Sequence, residues 1–356
     1  MTTDIFRRLQ ERLDLYSLGF PATESGIELT LLRELFTQED AGMFLNLTPM
    51  PETPGAVAGR LQRPEADVAC QLEAMAGQGL LFRLKKGDGV RYSAIPFVHG
   101  LFEFQVKRLG KPLADLVETY FHSGFYKAMA ENARGFLRTV PVQASIDTSQ
   151  RIAAYDDACA LLGNQRLIVV TDCICRIQKN LVNKGCGKDL ETCFMFGSMA
   201  QYYLDHNMGR QVDMDEAVAI LKKARDAGLV TQPATAQNPG GMCNCCGDCC
   251  GVLSSLKPYP RPAEMVFSNY VAANDTDACV GCGTCLDRCQ MDAITQDSLE
   301  KAIVLSHRCI GCGLCVTTCP AGSMTLAPKP QDLQQVPPAT GLDQMMAMAR
   351  NRGIQF

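Results

Sequence analysis

The sequence predicts an α+β protein in three units: a helical N-terminal unit closed by a β-hairpin, a mostly helical cysteine-rich middle, and a C-terminal unit built on a repeated cysteine motif. Three observations lead there. Apolar residues recur at helical spacing through the first 80 residues and then give way to two short strand-like runs. Nineteen cysteines are present, and most of them fall in tight clusters after residue 172. One cysteine pattern recurs at an offset of 30 residues between Cys279 and Cys319.

Segment 1–23 carries Ile5, Leu9, Leu13 and Tyr16 on one face, an amphipathic docking helix. It is short and not strongly basic, so it is expected to pack on protein and not on a membrane. Gly26–Leu47 predicts a helix with Ile27, Leu31, Leu35 and Phe36 on one face, ended by Pro49, Pro51, Pro54 and Gly55. A short helix follows near Val57–Leu61. The next opens at Pro64, carries Val68, Leu72 and Met75, and stops near Gly77 and Gly79. Leu80–Leu84 and Val90–Ala94 flank Lys85-Lys-Gly-Asp-Gly89 as a β-hairpin. Three helices and a hairpin over 24–98 resemble a winged-helix domain. A DNA-reading helix presents Arg, Lys, Asn or Gln to base edges and basic groups to phosphates. The helix after Pro64 has three acids and no Lys or Arg, and 24–98 holds seven basic against ten acidic residues. A structural or protein-docking unit is therefore expected, and nucleic acid is not an expected partner. Cys70 and Cys159 read as core residues.

Segment 99–165 predicts a helical connector with Phe102, Val106, Leu109, Leu113, Leu116, Val117 and Phe121 as its apolar series. In the cysteine-rich segment 166–256, Arg166–Thr171 predicts a short buried strand leading into Cys173. Residues 194–208 predict a helix. Asp213 and Glu216 resemble a capping box opening a helix with Val218, Leu221 and Ala224 that ends at Gly228. Pro258, Pro260 and Pro262 mark a linker at the start of segment 257–330. The tail, 331–356, is Pro-rich and then Met-rich with helical spacing at 341–350.

The 356 residues are 47% hydrophobic and 20% charged, with a net charge of −4, so no global basic field draws nucleic acid or an anionic membrane. The N-terminus lacks the apolar stretch of a signal peptide, and no run of about 18 apolar residues is present to span a bilayer. Clustered cysteines in a chain with this N-terminus suit metal ligation in a reducing cytoplasm better than disulfides.

The repeat is the strongest signal. Cys279-x2-Cys282-x2-Cys285-x3-Cys289 maps onto Cys309-x2-Cys312-x2-Cys315-x3-Cys319, and Pro320 follows the second copy. Cysteines at i, i+3 and i+6 let one loop wrap three corners of an iron–sulfur cube. Intervening glycines admit positive φ and turn N–H groups toward sulfur. The fourth cysteine of each run points away, toward the other cluster. This segment resembles the bacterial two-cluster ferredoxins. The resemblance implies two 4Fe–4S clusters, one held by Cys279, Cys282, Cys285 and Cys319, the other by Cys289, Cys309, Cys312 and Cys315, and a role in one-electron transfer. Gln290 departs from that family, which usually has Pro there. The alternative, a pair of four-cysteine zinc sites, does not explain the paired pattern.

Nine more cysteines lie in the middle: Cys173, Cys175, Cys186, Cys193, Cys243, Cys245, Cys246, Cys249 and Cys250. Five within eight residues exceed any packing need. Cys173, Cys175, Cys186 and Cys193 supply four ligands. Cys243, Cys246 and Cys249 repeat the spacing of the ferredoxin loops, while Cys245 and Cys250 point elsewhere. One or two further 4Fe–4S clusters are expected, with the partition left open. Arg176 stands beside Cys175, where its charge offsets part of a cluster's negative charge; the plain alternative is an exposed arginine paired with a surface acid. A zinc site on Cys173, Cys175, Cys186 and Cys193, or a catalytic dithiol, are the other readings. The Cys-Cys-Gly runs are similar to the cysteine-rich motif of heterodisulfide reductase catalytic subunits. Together with Pro96–Gln105, Asp172-Cys-Ile-Cys-Arg176 and the terminal repeat, the chain resembles multi-cluster ferredoxin-domain proteins of anaerobic bacteria and archaea, which implies redox work in anaerobic metabolism.

The expected function is a multi-cluster carrier passing low-potential electrons to or from a partner oxidoreductase or another electron-transfer protein. A reductase acting at the middle cysteines and an iron–sulfur redox-sensing regulator are the alternatives. No Gly-x-Gly-x-x-Gly follows a strand, so neither NAD nor flavin is expected.

Overall fold

A computed structural model describes residues 4–87, 89–146 and 153–354. Asp88 at the expected hairpin tip, residues 147–152 of the connector, and the outermost residues of the two terminal segments lie outside the described residues. The N-terminal unit begins with α1 (Ile5–Asp14), capped by Asp4, whose carboxylate accepts from the Phe6 amide at 3.1 Å. Its buried Phe6, Leu9 and Leu13 pack on α2 (Ile27–Leu35) and α3 (Gln38–Leu45) of the same chain. The single helix expected over Gly26–Leu47 is thus two helices. Phe36 is extended and buried between them, and the Thr37 hydroxyl accepts from the Asp40 amide at 3.1 Å, a cap that restarts the helix.

Helices α4 (Pro54–Leu61) and α5 (Glu65–Gly77) lead to the antiparallel hairpin β1 (Phe82–Lys86) and β2 (Gly89–Ser93), paired from Phe82↔Ser93 to Lys86↔Gly89. The hairpin is tied to the rest of the molecule. Arg83 bridges Glu73 and Asp205, each at 2.9 Å, and the buried Tyr202 hydroxyl donates to a carbonyl of Ala76 or Leu81. After an irregular segment around His99, the connector continues through α6 (Lys111–Tyr120), α7 (Tyr126–Asn132) and α8 (Ala158–Gly163).

The middle was expected to be mostly helical and is instead organised on a sheet. In order come β3 (Ile168–Asp172), α9 (Ile174–Leu181), β4 (Glu191–Phe196), α10 (Gly197–Asp205), β5 (Arg210–Val212), α11 (Met214–Asp226), β6 (Val230–Pro233), β7 (Gly241–Cys245) and α12 (Gly251–Leu256). The strands form one antiparallel sheet in the order β5-β3-β4-β7-β6. The helix expected over 194–208 starts only at Gly197, because Phe194 and Phe196 are strand residues. Strand alternation then gives the sheet two different faces. Ile168, Val170, Phe194, Phe196 and Met242 share a core with Leu161, Leu162 and Ala217 of α8 and α11. Cys193, Cys243 and Cys245, at the alternate positions, face the other way. The half capping box is present: Asp213 accepts from the Glu216 amide at 2.9 Å.

Helix α9 is fastened to α6 by the nearly buried Glu118. Its carboxylate meets Lys179 Nζ at 2.6 Å, Lys184 Nζ at 2.9 Å and Gln178 Nε2 at 3.1 Å.

The C-terminal unit holds two two-stranded antiparallel sheets. These pair β8 (Tyr270–Asn274) with β11 (Met324–Pro328), and β9 (Ile294–Gln296) with β10 (Ala302–Val304); the short α13 (Thr284–Arg288) lies between β8 and β9. The Met-rich tail forms α14 (Gly341–Asn351), started by a full capping box of Thr340 and Asp343. Its Gln344 donates to the Gly135 and Phe136 carbonyls, so the tail folds back onto the connector. Among the described residues, no helix is long and apolar enough to cross a membrane.

Candidate iron–sulfur centres

The eight cysteines of the C-terminal repeat surround two cavities. Cys279, Cys282, Cys285 and Cys319 line one; Cys289, Cys309, Cys312 and Cys315 line the other. Each group of four therefore takes its fourth member from the other run. Backbone and hydroxyl groups already address the sulfurs: the Ala293 amide donates to Cys289 Sγ at 3.2 Å, the Ala272 amide to Cys309 Sγ at 3.4 Å, and Ser323 Oγ lies 3.4 Å from Cys319 Sγ. Donors of this kind stabilise thiolate charge. Gly313 takes φ +75°, and a Cβ there would sit 2.1 Å from Ser145 Oγ of the connector, so both conformation and packing require glycine. Cys282 of the first set is exposed, whereas none of the four cysteines of the second set is, and burial pushes the Cys312 thiol up to about 12.

The middle cysteines separate into six and three. Six form a closed ring of neighbouring thiols in the order Cys173, Cys175, Cys250, Cys245, Cys243, Cys193 and back to Cys173. Hydrogen bonds from their neighbours lower the pKa of Cys173, Cys243 and Cys250, and the same bonds raise Cys175, Cys193 and Cys245. Lowered and raised thiols thus alternate around the ring. The fold explains the set. Cys193, Cys243 and Cys245 share one face of β4 and β7, Cys173 caps α9 and Cys175 lies in its first turn, and Cys250 sits at the start of α12. The ring lines a cavity of about 50 Å³, against about 10 and 20 Å³ for the two C-terminal cavities.

Cys186, Cys246 and Cys249 form the second group, their sulfurs all within 4.8 Å of one another. Cys246 and Cys249 also touch the wall of the large cavity. The structure separates cysteines that sequence spacing groups together. Cys186 stands apart from Cys173, Cys175 and Cys193, and Cys243 parts from Cys246 and Cys249. The reason is local: 241–245 is a strand, so Cys243 projects to the sheet face, whereas Cys246 and Cys249 belong to the turn that follows.

Arg176 lies between the groups. It is 1% exposed, which excludes the surface ion pair, and it donates to Thr192 Oγ1 and to the Asn244 carbonyl, the latter at 2.9 Å. Burial works against its charge, but the field of Cys173, Cys193, Cys246 and Cys245 more than offsets this and raises its pKa. Its Nε and Nη1 have no protein acceptor among the described residues. Two orphaned buried donors amid thiolates fit a sulfur-rich anionic group in the ring, where inorganic sulfide would accept from them.

Sequence reasoning missed His99 and Glu103, although it singled out the stretch that contains them. Both are half-buried and line the cavity. Burial opposes charge on His99, yet its hydrogen bond to Cys243 and the nearby Glu103 raise its pKa; burial drives Glu103 up to about 7. The signal lay in a lone histidine inside an apolar run, Pro96-Phe-Val-His-Gly, which by itself does not distinguish a core histidine from a site residue.

The same fold explains Gln290. Its Oε1 accepts from the Gly247 amide at 2.7 Å, and a Cβ on Gly247 would sit 2.5 Å from the Gln290 carbonyl oxygen. Arg288 donates to the Arg225 and Asp226 carbonyls. Gln290 follows Cys289, and Gly247 lies between Cys246 and Cys249, so the second C-terminal cavity faces the middle cysteines.

These features define a chain with thiolate-lined centres in contact. Residues 272–326 match the family model described as the 4Fe-4S dicluster domain. No curated protein and no solved structure matches the chain. A 4Fe-4S dicluster domain near the C-terminus points to iron–sulfur electron transfer.

Proposed function

We propose that this protein is a multi-cluster electron carrier, passing low-potential electrons between a partner oxidoreductase and a centre held by the six-thiol ring. The two four-cysteine cavities of the dicluster domain carry this reading, because their second member abuts the middle cysteines through Gln290. Four-iron clusters supply one-electron redox chemistry. In this reading Cys279, Cys282, Cys285 and Cys319 hold the outer cluster, and Cys289, Cys309, Cys312 and Cys315 the inner one. Exposed Val280 at the outer site offers a partner an apolar contact close to Cys282. Arg176 neutralises charge at the ring, and the covered sheet face keeps water from it.

Iron and acid-labile sulfide counted on anaerobically prepared protein test the proposal. About 12 iron atoms or more per chain are expected, from three or more four-iron clusters. Eight iron atoms after full reconstitution would remove the middle cluster from the scheme.

The crossed ligand sets give a second expectation. Cys289→Ala should deplete the cluster on Cys309, Cys312 and Cys315 and leave the one on Cys279, Cys282, Cys285 and Cys319. Mössbauer and EPR spectra report this as loss of one cluster and of its magnetic coupling to the other. Retention of the coupled pair would show that Cys289 is not a ligand.

A further inference from the structure

We infer that Cys186, Cys246 and Cys249 form a separate site for a single thiophilic divalent cation, Zn²⁺ in the test below, with its fourth coordination position open to water or an incoming thiol. This goes beyond the electron-transfer reading and does not depend on it. The spacing of the sulfurs carries the inference. In a tetrahedral Zn–thiolate site with bonds of about 2.3 Å, neighbouring sulfurs lie about 3.8 Å apart. Cys186 Sγ and Cys246 Sγ are 3.6 Å apart, and all three sulfurs lie within 4.8 Å of one another. Thiolates on a cubane end on different irons and stand further apart. Among the described residues, this is the one group of three or more Cys, His, Asp or Glu ligand atoms gathered so closely. The ring and both C-terminal fours are spread more widely.

Local structure supports a compact metal knuckle. Cys246-Gly-Asp-Cys249 has the x2 spacing typical of zinc ligands, and the Cys249 amide donates back to the Cys246 sulfur. Gln290 holds the turn through the Gly247 amide. The third thiol arrives from the 182–190 loop. Ala224 and Leu229 cover the inner sulfurs, which are 1% exposed, while Cys186 is half-buried. Three thiolates on a divalent cation leave one net negative charge, which lies within the field of the Arg176 shared with the ring. No fourth Cys, His or carboxylate among the described residues joins the group. Three protein ligands plus an exchangeable fourth are the pattern of an open zinc site, not a closed structural one.

The test is metal analysis of the full chain, purified anaerobically from zinc-supplemented medium, with zinc and iron X-ray absorption. One zinc per chain is expected, with about three sulfur neighbours at about 2.3 Å and one lighter neighbour. Cys249→Ser should lower zinc at least tenfold while iron, sulfide and EPR signals keep their wild-type values. Cys186→Ser, in an exposed loop, is read in the same way if Cys249→Ser does not accumulate. Loss of iron and sulfide in either variant would assign the trio to a cluster and overturn the inference. So would a wild-type protein without zinc, or with four sulfur neighbours around it. A sample with eight irons and one zinc would remove the middle cluster and leave this site standing, so the two proposals fail separately.

Discussion

Arg176→Met empties the six-thiol site while the dicluster domain stays loaded. The guanidinium is fully buried, in the field of Cys173, Cys193, Cys245 and Cys246. Removing one partner of a buried charge arrangement leaves the other uncompensated, at a cost of about 3–5 kcal/mol. Here the uncompensated charge belongs to the thiolates, so the loss appears as failure to hold the metal centre. The substitution also leaves Thr192 Oγ1 and the Asn244 carbonyl without their donor. Arg176→Lys keeps the charge but not the planar fork that spans both acceptors and the sulfurs, so it should restore only part of the content. Iron per chain, read beside the EPR signals of the dicluster domain, checks this. Unchanged iron in Arg176→Met would show that the arginine does not serve the ring.

Glu118→Gln loosens the scaffold beneath the same site. The carboxylate holds Lys179, Lys184 and Gln178 of the α9 region against α6, and α9 carries Cys175 and Arg176. Burial raises its pKa, but the hydrogen bonds from Lys179, Lys184 and Gln178 win and bring it down to about 2 from 4.5. The folded value lies below the unfolded one. Its stabilisation is therefore complete above about pH 4.5 and is lost as pH falls toward 2. The variant leaves the nearly buried Lys179 ammonium facing a neutral amide, which costs about 3 kcal/mol. Anaerobic urea denaturation should show a gap between variant and wild type at neutral pH that narrows as pH falls below about 4.5. A gap that is absent at neutral pH would make the cluster a surface ion pair without structural weight.

Particular residues show which parts of the molecule are local in origin. The cysteines of the C-terminal repeat are legible because their ligand spacing is local: a loop of seven residues wraps a site wherever it sits, and the family match over 272–326 covers that segment. The N-terminal helices and hairpin, the Asp213 cap and the final Met-rich helix are legible for the same reason, since periodicity and capping act within a few residues. Thr37 is a local cap as well, set inside an apolar face that runs across it.

The middle is different because its grouping is set by strand pairing across long stretches of chain. Nothing near Cys193 says that it faces Cys243, 50 residues on; the Phe194–Met242 pairing of β4 with β7 decides it. The strands are three to six residues long, and too few apolar positions alternate for their period to be read without their partners. Burial of Arg176, the approach of His99 and the use of Gln290 at Gly247 have the same origin. Sequence alone determined that this protein concentrates thiols for metal–sulfur chemistry and where its dicluster domain lies. Only the tertiary structure decided how the nine middle thiols divide, because an antiparallel register places every second residue on one face and a single turn sends the next cysteine to another.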